Sequence, residues 1–257
     1  MTLEVMICTM GSEGIGRVAR MELPEVEGVS YLVSWQQPHG EVPPVLQRSD
    51  VKIITSDDRG LSVNRNHALD AATSDVLLVA DDDLRYTASQ LKNVIEAMER
   101  HPDVELATFR YEGVNSKVYP EQEMDITRNW PKNYYVTSFE IALRRESRAG
   151  QLRFDERFGV GAPLFHLGEE ELLLLEARKK GIRCRYFPIT ITSHVGLTSG
   201  NREWTPGACR GMGAVIRRTF PLTCLPRIVL KAYRGCRARK VRFLTGIWYM
   251  LEGLIRS

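Results

Sequence analysis

GLSVNRNHALDAATSDVLLVADDDLRY, residues 60–86, decides the fold. At its centre VLLVA, residues 76–80, is an unbroken apolar run of strand length that ends in Asp81, Asp82 and Asp83. A strand without polar alternation is buried on both faces, as in a parallel sheet covered by helices. Just downstream, Leu91, Val94, Ile95 and Met98 recur at helical spacing, Ser89 is placed to cap that helix, and Pro102 follows its end.

Outward from this stretch the pattern repeats. Apolar runs at 3–9, 30–35, 51–56, 104–109, 135–143 and 183–192 read as further strands. Residues 169–180 read as a helix, with acids in the first turn, Lys179 and Lys180 in the last, and Gly181 as the stop. Residues 111–130 are polar and irregular, and read as a loop excursion over one end of the sheet. The expected fold class is α/β: a mostly parallel central sheet flanked by helices, with a basic helical tail.

Open α/β sheets bind ligands at the C-terminal ends of their strands, and the three aspartates lie at such an end. Adjacent carboxylates repel unless water or a cation neutralises them. Hard divalent ions such as Mg²⁺ or Mn²⁺ take oxygen ligands and share protein carboxylates with substrate phosphates, so the triplet suits a nucleoside diphosphate. The plainer alternative is a solvated acidic turn that leads into the next helix.

Residues 60–86 resemble the core signature of the family 2 glycosyltransferases of the GT-A fold, in which an Arg-Asn pair opens a helix and the next strand ends in Asp-x-Asp. Arg65 and Asn66 hold the pair; Asp81 and Asp83 hold the outer motif positions. The resemblance implies that Asp81 faces the nucleotide ribose or the metal, that Asp83 ligates the cation with Asp82 beside it at the donor, and that Arg65 lies near the donor nucleotide. Paired with Asp57 or Asp58, Arg65 would instead be an ordinary helix residue.

A second block, FDERFGVGAPLFHLGEEELLLLEARKKGIRCRYFPITITSHVG at 154–196, carries further landmarks of that family in order. They are Phe-Asp-Glu, a glycine-rich loop, an acidic helix start after Gly168, Pro188 and His194. By this likeness Glu170 stands where the family keeps its general base, although Glu169 and Glu171 stay open, and Glu in place of Asp lengthens the side chain by a methylene. His194 would approach the metal or the diphosphate. A base beside the acceptor oxygen and charge neutralisation on the leaving diphosphate suit a single inverting displacement. Acids at a helix N-terminus are also favourable by themselves. His166 and Trp130 could line an acceptor site, or hydrate a loop and cover the core.

The nucleotide base is expected around Thr9, Met10 and Gly11 and around Ser34, Trp35 and Gln36. Many family members carry an acid after the second strand; here the run is Ser34-Trp35-Gln36-Gln37, and Asp57 or Asp58 is the nearest substitute. A competing class is the NAD(P)-dependent oxidoreductase, because GIGRVA at 14–19 fits a dinucleotide fingerprint. That fingerprint needs its first glycine directly after the strand and an acid at the end of the next strand, and neither condition holds here.

Charge is distributed unevenly. The formal net charge is +3, yet residues 201–257 hold 12 Lys/Arg against 2 Asp/Glu. The chain therefore divides, on this reading, into a glycosyltransferase domain at 1–200 and a basic amphipathic helical extension at 201–257, the former with a nucleotide-binding half at 1–110 and an acceptor-side half at 111–200. The apolar-rich stretch 243–255 contains Glu252 and is too short to span a bilayer, which takes about 20 residues. A surface-lying helix fits an anionic membrane surface; a helical pair packed on the body is the alternative. No nucleic-acid motif accompanies the charge. Five widely spaced cysteines and an N-terminus without a basic flank suggest neither a disulfide framework nor a signal peptide. The expected setting is therefore the cytoplasm, at the inner face of the membrane. The expected donor is a nucleotide sugar, a UDP-sugar foremost, and the acceptor a lipid-linked or glycan hydroxyl. A non-catalytic membrane- or sugar-binding relative remains a third class.

Overall fold

A computed structural model describes residues 1–113, 117–128, 130–131, 134–194 and 204–257. In chain order the body contains β1 (Leu3–Met10), α1 (Gly11–Ala19), β2 (Val29–Gln36), β3 (Val51–Ser56), α2 (Leu61–Ala71), β4 (Val76–Asp81), β5 (Leu84–Arg85), α3 (Ala88–Arg100), β6 (Leu106–Gly113), β7 (Met124–Asp125), β8 (Ile141–Arg144), α4 (Glu169–Lys179) and β9 (Cys184–His194). Three helices follow: α5 (Pro206–Thr219), α6 (Cys224–Arg237) and α7 (Phe243–Arg256). The chain forms two compact units, one of residues 1–59, 63–153 and 176–196, the other of 60–62, 154–175 and 197–257.

The first unit is a sheet of order β3-β2-β1-β4-β8-β6-β9-β5, with β7 on β9. Strands β1 to β4 are mutually parallel, β6 and β9 are parallel to each other, and β8 runs antiparallel between β4 and β6. The α/β expectation is met. Leu3, Val5 and Ile7 share a core with Tyr31 and Val33, Leu78 and Ala80, Ile15 and Val18 of α1, and Leu91, Val94 and Met98 of α3. The alternate residues Met6, Leu32, Leu77 and Val79 are buried as well, which is why these strands read as continuous apolar runs.

Two local readings change. Helix α3 is capped by Thr87 rather than Ser89: Thr87 Oγ1 accepts from Gln90 N at 3.2 Å and Gln90 Oε1 accepts from Thr87 N at 2.9 Å. This reciprocal pair satisfies two otherwise orphaned donors, which a cap at Ser89 could not do with the same partner. The expected strand 135–143 shortens to β8, because Ser138–Glu140 forms a 3₁₀ turn. There the buried Glu140 accepts from Thr137 N at 2.5 Å and from Thr137 Oγ1 at 2.6 Å, drawing the backbone out of the extended form. In the segment expected to be irregular, β6 runs on to Gly113 and β7 adds two residues to the sheet, so part of it is ordered strand.

In the second unit α5, α6 and α7 share a small core of Cys209, Met212, Ile228, Ala232 and Met250. The backbones of α5 and α7 touch at two glycines. A Cβ on Gly213 would meet Met250 O at 1.9 Å, and one on Gly253 would meet Arg210 O at 2.0 Å. Arg210 Nε then closes the crossing on Glu252 at 2.7 Å. No helix among the described residues is long and apolar enough to cross a membrane.

Candidate active site

The sheet register gathers the first unit's candidate residues on one edge. Met10 lies beside Gln36, Gln36 beside Ser56, and Cys8 beside Asp81, so β1 to β4 end together and the aspartates project just beyond. Strand β9 ends on the same side at His194, which pairs with Leu84 of β5, directly after Asp83.

The three aspartates have three different partners. Asp81 Oδ1 accepts from Arg65 Nη2 at 3.0 Å; Arg65 is only 2% exposed and also donates to Ser138 Oγ at 2.5 Å. Asp82 is gripped by Arg17, with Nε to Oδ1 at 2.9 Å and Nη2 to Oδ2 at 2.8 Å, and it accepts from Thr9 Oγ1 at 2.5 Å. Such a bidentate pair is among the stronger ionic contacts, and it holds the Arg17 guanidinium above its ordinary pKa, chiefly through that hydrogen bond. Asp83 has only an imidazole: its Oδ2 lies 3.2 Å from His194 Nε2. Burial raises the Asp83 carboxyl above the usual range, and His194 partly opposes the rise. Among the described residues Asp83 Oδ1 is buried with no hydrogen-bond partner. His194 is itself buried, with its ring stacked on Phe139 at 5.9 Å.

An orphaned buried carboxylate oxygen beside a histidine nitrogen is a donor set that a divalent cation fits. Among the described residues no three His, Cys, Asp or Glu side chains converge as a complete protein ligand set. Magnesium-type sites commonly use one or two carboxylates and complete their shell with water and phosphate oxygens.

At the ends of β1 and β2, Thr9 and Trp35 are buried, and Trp35 Nε1 donates to Gly11 O at 2.9 Å, fixing the turn into α1. Asn64 of α2 bridges the two strands, its Nδ2 donating to Thr9 O and to Ser34 O at 3.0 Å each. Asn64 Oδ1 and Gln36 Nε2 are both buried without partners, an unspent acceptor and an unspent donor on the edge expected to hold the base. Asp58 is exposed and caps its own turn through Ser56 Oγ at 2.8 Å, with His67 at 3.5 Å; Asp57 is exposed too. Gly14 and Gly16 lie inside α1, which starts at Gly11, so GIGRVA is not a strand-to-helix phosphate loop. Trp130 donates from Nε1 to Tyr134 O at 2.7 Å and has the Arg178 guanidinium over its ring.

Arg17, Asn64 and Ser138 escaped the sequence reading, whereas Gln36 was expected at the base. Only Gln36 had a local signal, as the residue standing where relatives keep an acid.

In the second unit Gly168 opens α4 with φ +107°, a backbone region L-residues rarely enter, and a Cβ there would meet Val215 Cγ2 at 2.5 Å. Glu169 is buried with its carboxyl against Gly159, Glu170 is half-buried, and Glu171 is exposed. Asp155 accepts from Arg157 Nη2 at 2.7 Å and Arg218 Nη1 at 2.8 Å, tying the 155–158 loop to α5. The ring of the exposed His166 packs on Gly207.

Residues 35–156, just under half of the chain, match the family model described as Glycosyl transferase family 2. Among solved structures the chain is similar to S. aureus TarS 1-349 in complex with UDP-GlcNAc, with TM-score 0.61 and 16% identity over 84% of this chain and 67% of that one. It is similar also to uncomplexed S. aureus TarS 1-349, with TM-score 0.59 and 14% identity over 100% of this chain and 92% of that one. A longer S. aureus TarS structure gives TM-score 0.61 and 13% identity over 99% of this chain, which spans only 54% of it. At such identities these structures speak for the fold, which is the GT-A fold expected. No curated protein matches the chain. The match over 35–156 and the fold of these structures support a family 2 glycosyltransferase.

Proposed function

We propose that this protein transfers a sugar, with inversion, from a nucleoside-diphosphate sugar to a hydroxyl of a glycan or lipid-linked acceptor. The observation that carries the reading is the asymmetry of the acidic triplet. Arginines neutralise Asp81 and Asp82, while Asp83 keeps a buried oxygen without a partner on the ligand-binding edge of the sheet. A UDP-sugar donor is supported by the likeness to TarS in complex with UDP-GlcNAc.

In this reading Asp83 and His194, with Asp81, would hold a divalent cation. When bound, that cation neutralises charge developing on the leaving diphosphate. Arg65 and Arg17 keep Asp81 and Asp82 in place, so the strand end is pre-organised before the donor arrives. Thr9, Gly11 and Trp35 shape the base end, and Gln36 Nε2 and Asn64 Oδ1 offer it one donor and one acceptor. Asp58, or Asp57, stands in for the acid that many family members keep for the base. Glu170 takes the proton of the acceptor hydroxyl as that oxygen attacks the anomeric carbon; the carbon–oxygen bond to the diphosphate breaks as the new one forms. Glu169, packed against Gly159, shapes the loop instead.

The test is release of the nucleoside diphosphate from UDP-sugars in the presence of Mn²⁺. Loss on adding EDTA and on Glu170→Gln supports the reading. Turnover untouched by both treatments refutes it.

A further inference from the structure

Helices α6 and α7 carry apolar side chains that do not enter their core. Nine of the fifteen exposed large hydrophobic side chains among the described residues lie between Phe220 and Ile255. On α6, Cys224, Ile228, Ala232 and Gly235 form the inward stripe. Leu225, Val229 and Tyr233, spaced by four, form a second stripe, and it is exposed. On α7, Leu244, Trp248 and Ile255 are 76%, 69% and 79% exposed and fall on one face, with the half-buried Leu251 between them.

Basic residues follow the apolar stripe. Arg227, Lys231 and Arg234 recur on the other side of α6, across its inward stripe, whereas Arg237, Arg239, Lys240 and Arg242 run through the turn that joins the exposed stripe to α7. Among the described residues none of these seven makes an ion pair; in this segment only Arg210, Arg218 and Arg256 do. Exposed apolar ridges joined by a turn of uncompensated cations, with an exposed tryptophan on one of them, match the boundary between lipid headgroups and acyl chains.

We propose that α6 and α7 dock this protein on an anionic lipid surface, the Leu225–Tyr233 and Leu244–Ile255 ridges entering the headgroup boundary and the four cations of the turn between them, Arg237, Arg239, Lys240 and Arg242, meeting lipid phosphates. A second copy of the chain is the competing occupant, and the clustered like charge opposes it: bringing two such faces together would face cation with cation. The inference stands apart from the transfer reaction, since it concerns lipid binding alone.

The test is flotation of the full chain with vesicles of phosphatidylcholine, with and without phosphatidylglycerol, at low and high salt. The wild type floats with the anionic vesicles, less so at high salt, and stays down with phosphatidylcholine alone. Each cation near an anionic leaflet strengthens binding about fivefold, so Arg237→Gln, Arg239→Gln and Arg242→Gln together weaken it roughly a hundredfold. Leu244→Ser with Trp248→Ser also abolishes flotation. All these side chains are exposed, and unchanged thermal unfolding verifies that the variants remain folded. Equal flotation with both vesicle types, none with either, or unaltered binding by the arginine triple variant overturns the proposal. So does a stable dimer in sedimentation that Leu244→Ser with Trp248→Ser dissociates.

Discussion

Asp83 Oδ2 lies 3.2 Å from His194 Nε2, while Asp83 Oδ1 is buried with no partner. Two segments 111 residues apart in sequence thus meet at one carboxylate, because β5 doubles back along the end of β9. If this pair ligates a cation, Asp83→Ala removes Mn²⁺-dependent binding of a nucleoside diphosphate, and His194→Ala weakens it by about ten- to a hundredfold. Thermal shift with UDP, with and without Mn²⁺, reads both; a variant that binds like the wild type contradicts the assignment.

Arg65 is the buried partner of Asp81. Replacing it with Met leaves that carboxylate unpaired, and breaking a buried pair from one side costs about 3–5 kcal/mol. Because Asp81 is partly exposed, the lower end applies, about 3 kcal/mol. Urea denaturation measures the loss. A change under about 1 kcal/mol would mean that Arg65 serves the ligand rather than the fold.

Gly213 sits where α5 touches α7, and any side chain there would drive the helices apart. Overpacking typically costs about 1–3 kcal/mol, so Gly213→Leu should lower the thermal midpoint by several degrees. Gly16, whose added Cβ would meet nothing nearer than the Arg20 guanidinium at 3.5 Å, is the control: Gly16→Ala leaves stability equal or slightly higher.

Burial pushes the Asp155 carboxyl upward, but hydrogen bonds from Arg157 and Arg218 outweigh it and bring the pKa from 3.8 down to about 2. A depressed folded-state value stabilises the fold above about pH 4, and that contribution disappears as pH falls toward 2. Asp155→Asn is therefore less stable than wild type at pH 7, and the two converge near pH 2. A gap that persisted at pH 2 would point to a cause other than ionisation.

The legible part of the fold was the part set by burial alone. Strands β1 to β4 are covered on both faces, so each appears as an apolar run with nothing to confuse it. Residues 135–143 looked the same, yet Glu140 is paid for by Lys117 and Tyr119, partners about twenty residues away that the local pattern does not contain. The acidic triplet was legible as chemistry, but not its division of labour. Arg17 reaches Asp82 across 65 residues and Arg65 reaches Asp81 across 16, so which aspartate stays available depends on packing between α1, α2 and the sheet edge. The same holds for Asn64, which reaches Thr9 O and Ser34 O only once β1 and β2 lie side by side.

The central claim is that the strand end at Asp83 binds a nucleoside diphosphate through a shared cation. Titration calorimetry of UDP into the protein with Mn²⁺, repeated with Asp83→Ala, tests it most directly. The account predicts binding that needs Mn²⁺ and falls at least tenfold in the variant, with no comparable binding of NAD(P). UDP binding of equal strength in the variant, or without any divalent ion, would contradict it.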